Sequence, residues 1–255
     1  MYDKKFVTEK YSDFFDYAKD INRYCMAFLK KLKVSDKYDS IFIIHTLFLR
    51  LLEYFQGVFI LLERGMMPPA KVLTRGMLEI VFILAALEKN PALLSCYFDQ
   101  FQDGRKKALK AALQFKNDLL RNDAKKHDIE KHYVKLKKEL CDKELRVLKP
   151  KEWAIEAEME DFYNLYYVSY SNAIHSNLAA LDDHLDETMN GLYLSFGPSD
   201  KDLYEVMKCC IYIIVNAAQI TASANQEDIT NELEGFKTEL PAFDEKYLKD
   251  ELTTA

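Results

Sequence analysis

Apolar side chains recur at spacings of three and four along most of this chain, the repeat of helices that bury one face. Phe14, Tyr17, Ile21, Tyr24, Cys25, Phe28 and Leu32 define a first amphipathic helix over 8–33. Ser35 and Asp36 are placed to cap a second helix over 37–64, and Gly65 suits its C-terminal stop. Pro68 and Pro69 open a third helix, since proline is tolerated in a first turn. That helix runs to Lys89, before Asn90-Pro91, and is apolar almost all round, which predicts a central position. A fourth helix starts at Ala92 and continues to a break at Asn122-Asp123; a fifth covers 128–148. Pro150 restarts the chain, with Trp153 as its anchor against the core. A sixth helix spans 160–175 and either continues to His184 or kinks near His175. Asn190-Gly191 and Gly197-Pro198 bracket 192–196, the one extended segment expected. Ser199 and Asp200 then cap a long helix over 201–224, with Val206, Cys210, Ile213, Ile214 and Ala217 on its core face. A weak helix over 228–240 and a polar, frayed tail complete the reading.

Composition agrees. Seven glycines and six prolines in 255 residues are too few for the turns of a barrel or sandwich. The expected fold is an all-α, multi-helix bundle of about seven to eight helices, with at most one short extended hairpin near 190–198. A single helical domain over 1–255 is expected, its first helix (1–35) packing on the bundle and its last segment (226–255) peripheral.

The formal net charge is −6. It is unevenly spread: 105–149 holds fifteen Lys/Arg against seven Asp/Glu, a local +8 that leaves −14 elsewhere. This segment is either a solvated helical hairpin or a route for RNA to meet an otherwise acidic protein. The five cysteines (Cys25, Cys96, Cys141, Cys209, Cys210) are odd in number and form no C-x2-C pair, which suits reduced thiols in the cytoplasm. The N-terminus lacks the apolar core of a secretory signal. The greasy stretch 41–62 carries His45, Arg50, Glu53 and Gln56, too costly in lipid, so a buried soluble helix and no membrane are expected.

Two polar signatures interrupt the apolar helices. Arg75-x3-Glu79 and Tyr167-x3-Ser171-x3-His175 each place their groups one turn apart on one face. Buried charges of this kind must satisfy one another, so a shared Arg/Glu/Tyr/Ser/His cluster is expected. Arg75 and Glu79 form either a structural ion pair that fixes helix register or an anion clamp in which Glu79 orients the guanidinium. His175 is either a satisfied structural imidazole or a general base, tuned by Ser171, Asn172 and Tyr167. Ser171 and His175 lack a third orienting acid, which argues against a serine hydrolase. Asn172, Tyr163 and Arg64 are the candidate substrate contacts. The aromatic run Phe162, Tyr163, Tyr166, Tyr167, Tyr170 either stacks bases or packs the core; its helical spacing favours the core. His175, Asp182, Asp183, His184 and Glu187 match no standard ligand spacing, so no metal is expected. His127 and His132 do not share a face and are expected in solvent. No Walker loop or G-x-G-x-x-G is present, and no cofactor is expected.

RGMLE (75–79), Trp153 and YNLYYVSYSNAIHSNL (163–178), in that order, resemble an uncharacterised, mostly bacterial domain-of-unknown-function family, number 5677, over roughly 52–224. That family is all-helical and resembles the HEPN bundles, many of them dimeric ribonucleases or partners of nucleotidyltransferases in toxin–antitoxin and phage-defence systems. The resemblance implies a homodimer or a protein partner. HEPN ribonucleases carry Arg-x4–6-His; here 167–171 occupies that window without an arginine, so Arg75 would have to supply the cation from another helix. Two functions follow as expectations: a non-catalytic helical module that dimerises or binds a partner, or a HEPN-like RNA-binding protein or metal-independent ribonuclease.

Overall fold

The computed structural model describes residues 5–33, 38–140, 143–173, 181, 184–188 and 191–254. The fold is all-α with one small hairpin. In chain order the helices are α1 (Lys5–Lys10), α2 (Ser12–Leu29), α3 (Ser40–Leu62), α4 (Met67–Lys89), α5 (Leu94–Ala112), α6 (Asp118–Lys126), α7 (Ile129–Glu139), α8 (Pro150–Glu156), α9 (160–171), α10 (Leu203–Ala224) and α11 (Thr230–Thr254). A 3-10 turn over Pro91–Leu93 joins α4 to α5. Strands β1 (Leu185–Thr188) and β2 (Gly191–Leu194) pair antiparallel, Leu185 opposite Leu194.

Eleven helices among the described residues exceed the seven to eight expected. The excess is α1, separated from α2 at Tyr11, and the short helices α6 and α8. The fourth helix ends at Ala112, because the Asn117 side chain accepts from the Leu119 and Leu120 N–H groups and starts a new helix. The fifth ends at Glu139, and Asp99 captures the chain beyond it: its carboxylate is buried, takes the Lys143 ammonium, and accepts from the Arg146 N–H at 3.2 Å. The second helix begins at Ser40, capped by Asp39, whose carboxylate accepts from Phe42 N–H at 2.8 Å; Ser35 and Asp36 lie outside the described residues. β1 places the hairpin upstream of the expected 190–198.

The centre of the fold is α3, α4 and α10, each packed on the other two. The α3–α4 contact is close because Gly76 leaves room for the Tyr54 ring, which a Cβ there would meet at 2.8 Å. Gly65 ends α3 as expected, at φ +64°, and lies against 198–199: its carbonyl accepts from Ser199 N–H at 3.0 Å. Trp153 is fully buried and donates to Gln100 at 3.0 Å, so it anchors the chain restart. α11 runs past Leu240 and through Pro241. Leu233, Leu240 and Tyr247, at seven-residue spacing, are buried, and Tyr247 packs on Tyr11, Phe14 and Tyr204. α3 and α10 are long and apolar enough to cross a membrane; half and two-thirds of their apolar windows are buried in this fold.

Candidate functional site

α4 is apolar on nearly every face, yet Lys71, Arg75 and Glu79 form a single polar line at successive turns. α9 lies against this line. It is α-helical over Glu160–Phe162, π-helical over Tyr163–Tyr167, and α-helical again over Val168–Ser171. Val168 N–H bonds the Tyr163 carbonyl, five residues back. Such a widened turn re-aims the side chains that follow it, and often marks a functional site. Here Tyr163 and Tyr167 stack at 4.9 Å and 17°, with Phe82 beside both rings.

The two sequence signatures meet. Arg75 Nε donates to Ser171 Oγ at 3.1 Å, and Arg75 Nη2 donates to Tyr167 Oη at 2.5 Å. Nη2 also lies 3.0 Å from Glu79 Oε1, to which Tyr167 donates at 2.9 Å. Ser171 Oγ donates to the Tyr167 carbonyl at 2.6 Å. The guanidinium lies 4.6 Å from the centre of the Tyr167 ring. The result is a closed relay: cation to phenol, phenol to carboxylate, carboxylate back to cation. Burial, and secondarily the Glu79 carboxylate, push the Tyr167 hydroxyl up to about 12, so at neutral pH it keeps its proton and remains a donor.

The relay sits at the edge of the core. Tyr167 is buried, whereas the Arg75 and Glu79 side chains are 22% and 38% exposed. A buried cluster was expected; the ion pair is half-buried instead, since α4 turns this line toward α9 rather than toward α3 and α10. His175, the fifth member of the expected cluster, lies outside the described residues, as do Asp182 and Asp183.

The remaining candidates separate. Tyr163 supports the relay by stacking. Asn172 is exposed on the wall of a neighbouring cavity of about 380 Å3 lined also by Lys71, Tyr166, Tyr170, Lys201 and Glu205. Arg64 belongs to the end of α3, where it donates to the Ile60 carbonyl at 3.1 Å. Lys71 was missed by the sequence reading, although its spacing from Arg75 repeats the Arg75–Glu79 interval; it pairs with Asp202 at 2.9 Å and is nearly buried. Tyr166 and Tyr170 pack against the core, in line with the preferred reading of the aromatic run.

Cys25, Cys96, Cys209 and Cys210 are buried and unpaired with one another. Burial pushes the Cys25 and Cys210 thiols up to about 12, so neither is a nucleophile at neutral pH. His127 and His132 are in solvent, as expected. Among the described residues no three His, Cys, Asp or Glu side chains gather as a metal site would need.

Fold and site together define a helical bundle with an arginine–tyrosine–glutamate relay between its central helix and a π-turned neighbour. The model of a protein family described as a family of unknown function (DUF5677) matches residues 41–192, and the chain belongs to that family. The match starts upstream of the resemblance noted in the sequence and ends before α10. It contains every relay residue and excludes α1, α2, α10 and α11. No curated protein and no solved structure matches the chain.

Proposed function

We propose that the protein is a non-catalytic helical module, soluble and cytoplasmic, that dimerises or docks a partner protein, and that its relay holds α9 on α4. One observation carries this reading. Both edges of a guanidinium that can grip an anion with two parallel bonds include Nη2. In Arg75, Nη2 donates to Tyr167 and lies in an ion pair with Glu79 at 3.0 Å, and Nε donates to Ser171. A phosphate would have to displace a protein partner to gain a two-point contact. The burial of α3 and α10 against α4 supports a soluble bundle over a membrane protein.

The experiment is a pair of measurements on the full chain. Arg75→Ala should lower the urea midpoint, because it strands a phenol and a carboxylate that the guanidinium satisfied. Light scattering should show a dimer, or a stable complex should be recovered with a partner. A strictly monomeric chain in which Arg75→Ala is as stable as wild type would overturn the proposal.

A second reading keeps one specific support. The 105–149 arm carries its local +8 on helices that are almost wholly exposed: α6 buries no residue and α7 buries only Leu136. That favours RNA contact, and with it the HEPN-like alternative, in which His175 is the general base and Arg75 steadies a phosphate. Total RNA incubated with wild type and with His175→Ala distinguishes them; identical profiles leave only binding.

A further inference from the structure

α5 is a 19-residue helix that buries only Cys96 and Asp99, yet it is rich in aromatic residues. Tyr97, Phe98 and Phe101 line a groove of about 1020 Å3 together with Tyr38, from the start of the α3 region. Phe101 and Tyr38 are 60% and 75% exposed, far more than core packing requires. Among the described residues Arg105 is the one charged residue lining the groove, and its guanidinium lies 5.6 Å from the Phe101 ring. Beyond it α5 carries Lys106, Lys107 and Lys110 into the basic arm.

Gly104, in the interior of α5, also lines this groove. Glycine there weakens a helix, and an added Cβ would meet nothing within 4 Å. No packing among the described residues calls for it. A bare backbone facing open space suits the flat approach of a ligand ring.

We infer that the groove between α5 and Tyr38 stacks the bases of a single-stranded nucleic acid while Arg105 and the lysines of the arm hold its phosphates. The inference rests on the reading of the arm as a polyanion contact and adds the place where bases go. Exposed rings beside a positive track are how proteins hold single strands without reading sequence: every base has a π-face, and the backbone follows the charge. A duplex hides those faces, so it should bind more weakly at this groove. An acidic peptide would match the charge but leave the row of rings without planar partners.

The test uses the full chain and fluorescein-labelled oligonucleotides about twelve nucleotides long, within the usual single-strand site range. Single-stranded RNA, single-stranded DNA of the same sequence, and the corresponding duplex are titrated by anisotropy at low salt. Both single strands should bind more tightly than the duplex; a difference between them reports contact with the 2′-hydroxyl. Phe101→Ala should weaken single-strand binding by about fivefold to a hundredfold, the value of one stacked base. Gly104→Ala should weaken it while leaving the helix intact or more stable, which separates lost binding from lost folding. Replacing Lys106, Lys107 and Lys110 by Gln should weaken all three ligands and flatten the salt dependence. If the lysine variant loses binding while Phe101→Ala and Gly104→Ala match wild type, or if the duplex binds best, the groove inference falls and the arm reading survives. If wild type binds none of the three, both fall.

Discussion

Tyr167 is the residue through which the relay closes. Its hydroxyl accepts from Arg75 and donates to Glu79, and its ring stacks on Tyr163. Tyr167→Phe keeps the ring and removes the phenol oxygen. We expect a loss of about 1–2 kcal/mol in urea unfolding, the value of hydrogen bonds to charged groups in a site still partly wetted. Equal stability would show that water replaces the phenol at no cost. His45 makes a second prediction. It is buried in α3 with Nε2 against Asn225, while Nδ1 has no partner. The Asn225 amide nitrogen also donates to the Thr221 carbonyl at 2.7 Å. The neutral tautomer with the proton on Nε2 is favoured, donating to Asn225 Oδ1, because an orphaned lone pair costs less than an orphaned N–H. Burial lowers the His45 pKa, against the Asn225 hydrogen bond and the charges of Asp39 and Glu227, which raise it. Above the unfolded value of about 6.5 both states are neutral and nothing is lost. Below it the unfolded chain takes up a proton that the folded chain resists, so stability falls as pH drops through that value. His45→Gln should flatten this acid limb, measured by urea midpoints across the range; an unchanged slope would remove His45 as its cause.

At the scale of elements, two helices show local rules being overridden by packing. Pro241 sits inside α11, where it lacks an N–H and crowds the preceding turn. The helix persists because Leu240 and Tyr247 are buried beyond what a stop at 240 would allow. Pro241→Ala should therefore stabilise the protein by about 1–3 kcal/mol, read as a raised thermal midpoint. No gain would mean that the proline shapes a bend on which the Tyr247 packing depends. The segment after α7 shows the converse. It is non-helical over 143–149 because Asp99, buried on α5, takes Lys143 and the Arg146 N–H. Asp99→Ala should cost about 2 kcal/mol, less than a fully buried pair because Lys143 is half-exposed. It should also speed amide exchange selectively over 143–149. Uniform exchange rates would place the loss elsewhere.

For the whole molecule, the hairpin is the surface that the proposed dimerisation would use. Leu192, Leu194 and Phe196 are 64%, 87% and 89% exposed, with Leu165 and Val168 of α9 also in solvent. An isolated two-stranded hairpin is marginal in water, and exposed apolar rows mark interaction sites. Leu194→Asp with Phe196→Asp should shift the light-scattering mass toward monomer without changing the helical circular dichroism. A mass unchanged from wild type would place the interface elsewhere.

Helix type, the central place of α4 and the Gly65 stop were legible because they depend on the 3.6-residue repeat and on local backbone chemistry, both written along the chain. The meeting of Arg75 with Tyr167 and Ser171 was anticipated only as a need, since unpaired charges on apolar helices require partners. The early end of α7 was not legible, because Asp99 acts on residues 44 and 47 positions away. The π turn of α9 was equally hidden, since its sequence reads as ordinary helix. The repeat along the chain decided which faces are apolar. Only the packed structure decided which polar group answers which, because burial and long-range hydrogen bonds come into being when distant segments meet.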